Sequence, residues 1–311
     1  MNGNTGFKAV FLDAATLGDD IDLGPIRRAV AELRLYPGTT PEQLLEHLGD
    51  AELILTNKVV IPASVMAGRK AILVLATGTN VVDVAAAEQL GIPVMNVVNY
   101  GTQTVAQHTL MLMLALAARL PRYQQAVAAG AWQQSPLFCL MQFPTTQLAG
   151  KNLLLVGSGT LGQAVAKLAE AFAMRVQFCA RPGATNDSRP SFGSLLPVAD
   201  VISFHCPLTP QTQQLLNRET LAQVKPGCLV INCARGGVID ELACLAALTQ
   251  GRLGGLAVDV LPAEPPKDGH PLLAALNESL NLIVTPHNAW ISPEARQRIV
   301  DLTAENVLRL S

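Results

Sequence analysis

Short runs of apolar, β-favouring residues alternate with stretches of helical periodicity along almost the whole 311-residue chain. No other feature narrows the fold as far. A strand written as continuous Val, Ile and Leu is buried on both faces, and helices placed between such strands make the strands parallel. Candidate strands fall at residues 9–13, 51–56, 72–76 and 92–96. A second series follows Gly150, at residues 152–156, 175–179, 201–205, 228–232, 255–258 and 282–285. The pattern predicts an α/β architecture of doubly wound parallel sheets. At roughly 100–200 residues per domain, the length fits two of them. Residues 102–120 read as one long helix, apolar nearly all round, at a domain junction or a subunit interface. Residues 292–310 read as a terminal helix with Ser292 as N-cap and Pro293 in its first position.

Charged residues make up only 15 % of the chain and the net charge is −2. This is not the basic stripe of a nucleic-acid binder, nor the charged, apolar-poor composition of a disordered chain. The longest apolar stretch, residues 109–118, falls short of the about 20 residues that a membrane-spanning helix needs. No basic segment followed by an apolar run opens the chain. The expectation is a cytoplasmic protein with neither nucleic acid nor membrane as partner. The six cysteines lie mostly in apolar runs, without C-x-x-C or metal-ligand spacing. They read as free buried thiols, and no metal is expected.

The strongest local signal is the run from Lys151 to Ala166, in which an apolar strand leads into Gly157-Ser-Gly159-Thr-Leu-Gly162 and then a helical pattern. G-x-G-x-x-G is informative only in this strand–turn–helix setting, where it binds a dinucleotide. Gly157 permits the tight turn, Gly159 lets the backbone approach a pyrophosphate, and Gly162 lets helix and strand pack closely. Thr160 and Leu161 open the helix, whose N-terminal N–H groups face the phosphates. The following strand, residues 175–179, is expected to end at the adenosine ribose. An NAD site places an acidic residue there. This chain has Ala180 and then Arg181, which favours NADP(H), with NAD(H) possible and Arg181 as a plain solvated loop residue the alternative.

Three later segments place polar groups just past apolar strands: Arg235 in Asn232-Cys-Ala-Arg-Gly-Gly, Glu264 after Asp259-Val-Leu-Pro-Ala, and His287 in Thr285-Pro-His-Asn-Ala-Trp. In a parallel sheet the C-terminal ends of strands face the ligand crevice, so all three converge on the reacting ring. Taken singly, His287 reads equally as a core histidine, Glu264 as a turn residue, and Arg235 as a partner of Asp240 or Asp259.

The order G-x-G-x-x-G, N-x-A-R-G-G, D-V-x-x-x-E-P, P-H resembles that of the D-isomer-specific 2-hydroxyacid dehydrogenase family. Upstream, Asn99 to His108 and Ala76-Thr-Gly-Thr-Asn-Val-Val-Asp83 also match, so the likeness spans essentially the whole chain. It implies a Rossmann cofactor domain, residues 102–288, inserted into a flavodoxin-like substrate domain of residues 1–101 and 289–311. It further implies that Thr104, Val105, Cys206, Pro207, Cys233, Ala234, Asp259, His287 and Ala289 line the cofactor, beside the glycine motif and Ala180 and Arg181. Thr77, Gly78 and Thr79 would offer N–H groups to a substrate carboxylate. Lys58 either adds charge at the cleft or is a surface lysine. His47 and His108 lie in helical patterns and are read as structural.

Reduction of a 2-keto acid needs a hydride at C2 and a proton at the carbonyl oxygen. An imidazole is the natural proton donor, so His287 takes that part. Glu264 stabilises the imidazolium, and Arg235 grips the carboxylate with its planar fork and polarises the keto oxygen. Trp290, in P-H-x-A-W, and Leu137 to Leu140 resemble the glycerate dehydrogenase (hydroxypyruvate reductase) branch. Trp290 either walls the pocket or packs at a contact. The expected substrates are small: hydroxypyruvate or glyoxylate. The alternatives are another 2-hydroxy acid such as D-lactate or 3-phosphoglycerate, or a non-catalytic dinucleotide-sensing corepressor. A homodimer is expected, as in relatives.

Overall fold

In the computed structural model, which describes residues 5–310, the chain forms two compact units. One contains the residues up to Gly101 together with those from Ile291 onward, and the other runs Thr102–Trp290. The first holds five strands: β1 (Lys8–Phe11), β2 (Glu32–Leu35), β3 (Leu53–Thr56), β4 (Ala71–Val74) and β5 (Val94–Asn96). All pair in parallel, in the order β2-β1-β3-β4-β5. The second holds β6 (Asn152–Val156), β7 (Arg175–Phe178), β8 (Val201–Phe204), β9 (Cys228–Asn232), β10 (Leu253–Val258) and β11 (Leu282–Val284). Its order is β7-β6-β8-β9-β10-β11, again wholly parallel. Each sheet therefore reverses direction once, beside its first strand, which is where open α/β sheets bind ligands.

Continuous apolar strands were expected to be covered on both faces, and β6 shows it residue by residue. Leu154 and Val156 enter one core with Ile202, Phe204, Val230 and Leu256. Leu153 and Leu155 enter the opposite one with Val201, Leu229, Ile231 and Ala257. A period of two along a strand sends alternate side chains to opposite faces, so two cores need apolar residues at every position.

Two expectations need correction. β2 was not anticipated. Its sequence, Glu-Leu-Arg-Leu, is charged at alternate positions and incompletely buried because β2 is an edge strand with one neighbour. The helix expected at 102–120 ends at Ala117, and a second helix runs Leu120–Ala128. Arg119 breaks them apart in the left-handed conformation at φ 55°, and Pro121 begins the next helix, where a missing N–H costs nothing. The buried side of Thr102–Ala117 packs on the Thr160–Ala171 helix and on β9 and β10.

The terminal helix, Pro293–Leu308, starts as read: the Ser292 side chain accepts the Ala295 N–H and Pro293 opens the first turn. It packs on the Gly24–Ala29 helix, and Asn306 Nδ2 donates to the Asn96 carbonyl at 2.9 Å. The C-terminus thus closes the unit that the N-terminus began.

In the second unit, buried Asn281 ties helix to sheet: its Nδ2 donates to the Leu116 carbonyl at 3.1 Å and to the Gly254 carbonyl at 2.9 Å. Replacing it by Leu removes both bonds, at about 0.5–1.5 kcal/mol each, although the Leu116 carbonyl keeps the Arg119 N–H at 3.1 Å. Asn281→Leu should therefore lower the urea midpoint by an amount equivalent to at least about 1 kcal/mol. An unchanged midpoint would show that these bonds hold nothing.

Candidate active site

The glycine turn follows β6. Gly157 has φ +112°, and a Cβ there would lie 2.5 Å from the His205 carbonyl oxygen, so the turn needs glycine for close approach to the end of β8 as well as for its backbone angle. A Cβ on Gly162 would meet the Gly157 carbonyl oxygen at 2.0 Å, which is why helix and strand can pack so closely. Gly159 faces open space, with nothing within 4 Å of an added Cβ. It is also the N-cap of the Thr160–Ala171 helix and supplies no side-chain cap. An uncapped helix start beside a roomy glycine turn, with Ser158, Gly159 and Thr160 exposed, suits a dinucleotide pyrophosphate. Cys206 lies buried against this turn, and Pro207 accepts the Thr212 hydroxyl at 2.7 Å. Thr104 and Val105 occupy the first turn of the Thr102–Ala117 helix.

Past β7, the Ala180 N–H donates to the Pro190 carbonyl at 2.7 Å, closing the loop between them. The sequence showed no acidic residue next to the strand end. The loop brings one back: the Asp187 carboxylate accepts the Arg181 N–H at 2.8 Å. That carboxylate is spoken for. Arg189 donates to it through Nε at 2.9 Å and Nη2 at 2.5 Å, which holds Asp187 well below the usual carboxylate range. The Arg181 side chain is exposed.

The later strands carry the reactive groups. His287 Nδ1 lies 2.5 Å from Glu264 Oε2, and about a third of each side chain is open to solvent (31 % and 32 %). The other Glu264 oxygen accepts the Leu261 N–H at 2.8 Å, which fixes the carboxylate on its own loop. Arg235 follows β9. Its Nη1 donates to the Ala234 carbonyl at 2.7 Å, and neither Asp240 nor Asp259 forms an ion pair with it. Asn232 holds the turn, accepting from the Ala234 N–H and donating to the Arg235 carbonyl, both at 3.0 Å. The next residue joins this loop to that of Glu264, since a Cβ on Gly236 would lie 2.1 Å from the Leu261 carbonyl carbon.

Asp259, 2 % exposed at the end of β10, organises the His287 turn. Its Oδ1 accepts the Thr285 hydroxyl at 2.5 Å and the Asn288 N–H at 3.0 Å. Its Oδ2 accepts the Ala289 N–H at 3.1 Å, and its carbonyl accepts the His287 N–H at 2.8 Å. His287 is held in the left-handed region at φ 52°. Trp290 Nε1 donates to the His287 carbonyl at 3.0 Å, so the indole braces the same turn. His108, read from sequence as structural, reaches this cluster with its Nε2 at 3.1 Å from Thr285 Oγ1.

Burial raises the thiols of Cys206 to about 11 and of Cys233 to about 12, so both are neutral packing groups rather than nucleophiles. Among the described residues there is no cluster of His, Cys, Asp and Glu able to hold a metal.

Lys58, Thr77, Gly78 and Thr79 belong to the first unit, past the ends of β3 and β4. The buried Asp13 carboxylate accepts the N–H groups of Asn57, Lys58 and Val59, leaving the Lys58 side chain exposed. Thr77 donates its hydroxyl to the Val97 carbonyl at 3.2 Å, and its own carbonyl accepts from Asn96 Nδ2 at 2.6 Å.

The family model for the NAD-binding domain of D-isomer-specific 2-hydroxyacid dehydrogenases matches residues 110–289. The chain belongs to the D-isomer-specific 2-hydroxyacid dehydrogenase family. Similar relatives include the glycerate dehydrogenase of Methylorubrum extorquens, 41 % identical over 96 % of this chain and 95 % of that one. The hydroxypyruvate reductase of Blautia hydrogenotrophica is 35 % identical, with 96 % and 95 % covered. Among solved structures, the TT0316 protein of Thermus thermophilus is 34 % identical and superposes with a TM-score of 0.81 over 97 % of this chain and 96 % of that one. As a 2-hydroxyacid dehydrogenase the chain is an oxidoreductase acting on CH–OH groups with a nicotinamide dinucleotide. None of its helices among the described residues is long and apolar enough to cross a membrane.

The contact at Gly236 is backbone against backbone and cannot be relieved by turning a side chain. Gly236→Ala should cost about 1–3 kcal/mol in urea unfolding, as overpacking does, and should lower turnover by separating the Arg235 and Glu264 loops. Parent-like stability and turnover together would show that the contact is slack.

Proposed function

We propose that this dehydrogenase reduces hydroxypyruvate or glyoxylate to D-glycerate or glycolate, with Arg235, Glu264 and His287 as its catalytic residues. The observation that carries the reading is the His287–Glu264 pair at 2.5 Å, at the C-terminal end of the same sheet that bears the glycine turn. Because Nδ1 faces Glu264, Nε2 is the nitrogen left to give a proton to the keto oxygen. The carboxylate stabilises the imidazolium before the transfer and keeps the ring oriented. A nicotinamide dinucleotide held at the turn of Gly157, Gly159 and Gly162 would supply the hydride to C2. Arg235 offers two parallel N–H groups to the substrate carboxylate and draws charge from the keto oxygen. In the reverse direction Nε2 takes up the alcohol proton. Lys58 and the backbone at Thr77, Gly78 and Thr79 are assigned to the substrate side, and Trp290 to bracing the His287 turn. The named relatives support small substrates, since they are a glycerate dehydrogenase and a hydroxypyruvate reductase.

NADP(H) is the proposed preference. Asp187, whose carboxylate folds back to the end of β7, is neutralised by Arg189, and the exposed Arg181 guanidinium is placed to meet a 2′-phosphate. The buried, unpaired thiols fit a reducing compartment, the cytoplasm.

One kinetic experiment tests the whole reading: a panel of 2-keto acids assayed with NADPH and NADH. Hydroxypyruvate and glyoxylate should give the highest kcat/KM. His287→Gln should lower kcat by about 10²–10⁴-fold. Arg235→Ala should raise KM and lower kcat together. Arg181→Ala should cost about tenfold in kcat/KM with NADPH alone, the worth of a charged hydrogen bond. Full turnover in His287→Gln overturns the mechanism, and an NADH preference untouched by Arg181→Ala overturns the cofactor assignment.

We also assign a second copy of the chain as partner. Leu120, Val127, Trp132, Leu137, Phe138 and Met141 are all exposed within one segment, Phe138 at 91 %. Apolar side chains gathered in this way mark an interface. Sedimentation should give about twice 32.9 kDa, and a monomer at micromolar concentration would refute the dimer.

A further inference from the structure

We infer that His108 is a positioning residue for the proton donor, acting through the Thr285 hydroxyl on the turn that carries His287. The inference rests on the proposed role of His287 and adds a residue from a different element, the Thr102–Ala117 helix.

The argument begins with proton counting. His108 Nε2 lies 3.1 Å from Thr285 Oγ1 and 3.6 Å from Asp259 Oδ1. Thr285 has one hydroxyl proton. At 2.5 Å that proton goes to Asp259 Oδ1, because an ionised carboxylate can only accept. The Thr285 oxygen must then accept from His108, so the hydrogen of the imidazole sits on Nε2. Burial lowers the tendency of His108 to take a second proton, and the nearby Asp259 charge works against that lowering. A neutral ring with its single proton on Nε2 satisfies the chain His108 to Thr285 to Asp259 with every donor used once.

The chain ends on the groups that shape the catalytic turn. The oxygen of Asp259 that accepts from Thr285 also accepts the Asn288 N–H, and its partner oxygen accepts the Ala289 N–H. Between Thr285 and Asn288 stands His287, in a left-handed backbone conformation that a residue with a Cβ adopts only when its surroundings impose it. Without the Nε2 donor the Thr285 hydroxyl is free to rotate away from Asp259. One of the four bonds on Asp259 that hold the turn is then lost, and His287 Nε2 leaves its working position. An apolar side chain would fill the same half-buried space. It would not orient the hydroxyl.

The test compares three replacements of His108 in the full-length enzyme, with hydroxypyruvate and NADPH. A Gln amide nitrogen reaches the place of Nε2, whereas an Asn amide reaches only the place of Nδ1. His108→Leu and His108→Asn should lower kcat by about ten- to a hundredfold, the scale of a displaced catalytic group, with KM for the keto acid within about threefold of the parent. His108→Gln should recover kcat to within about threefold. Thr285→Ser and Thr285→Val pose the same question from the acceptor side and serve if His108→Leu does not fold: Ser should stay near the parent and Val should fall with Leu. Parental kcat in folded His108→Leu or Thr285→Val overturns the inference, as does a Gln variant no better than Leu. His287→Gln is measured beside them. If it keeps its turnover, the proton-donor reading is what failed. If it is inactive while His108→Leu is parental, only the role of His108 falls.

Discussion

A carboxylate buried at 2 % exposure must spend its lone pairs on hydrogen bonds or lose its charge, and Asp259 spends them on the turn from Thr285 to Ala289. Everything chemical in the second unit follows from that constraint. The turn cannot relax without stranding a buried charge, so it can hold His287 at φ 52° where an unsupported histidine would not stay. The His287 N–H is bonded to the Asp259 carbonyl and the His287 carbonyl to the Trp290 indole. With its peptide groups fixed on both sides, the imidazole has little left to decide, and Glu264 takes its Nδ1.

The loops that bear the reactive groups are joined by backbone rather than by long side chains. Gly157 backs onto the His205–Cys206 peptide, Gly162 onto Gly157, and Gly236 onto the Leu261–Pro262 peptide. Such contacts admit no rotamer as an escape. They lock the loop after β6 to that after β8, and the loop after β9 to that after β10, with few residues, the kind of rigid positioning that a catalytic site needs. Gly159 alone among these glycines faces open space, on the side where a pyrophosphate would need room.

The loop after β7 shows how charge can be rearranged without changing its amount. Asp187 returns to the strand end through its bond to the Arg181 N–H, and Arg189 then cancels it. What is left over at that place is the guanidinium of Arg181. The same residues read in sequence order show only Ala180 and Arg181 at the strand end, because a carboxylate six residues further along has no evident reason to fold back.

Much of this molecule was legible in its sequence. Strands buried on both faces must be apolar at every position, and the run Leu153 to Val156 could be little else. The glycine motif is readable because Gly157 and Gly162 answer steric demands that no other residue meets, while Gly159 leaves room for a pyrophosphate. Arg235, Glu264 and His287 stood out as polar groups at the ends of apolar strands. β2 escaped notice because an edge strand needs no continuous apolar run, and the break at Arg119 because an αL residue other than glycine leaves little trace in composition. His108 escaped too, since a histidine in an apolar helix looks like packing until its neighbours are known. Local sequence therefore determined the elements, the turn and the identity of the chemical groups, all of which depend on residues close together in the chain. Only the tertiary structure decided which of those groups meet: Thr285 with Asp259 and His108, Glu264 with His287, Asp187 with Arg189. Hydrogen bonds and charges act over a few ångströms, and the separations that matter to them are set by how strands pair, not by how far apart two residues lie in the sequence.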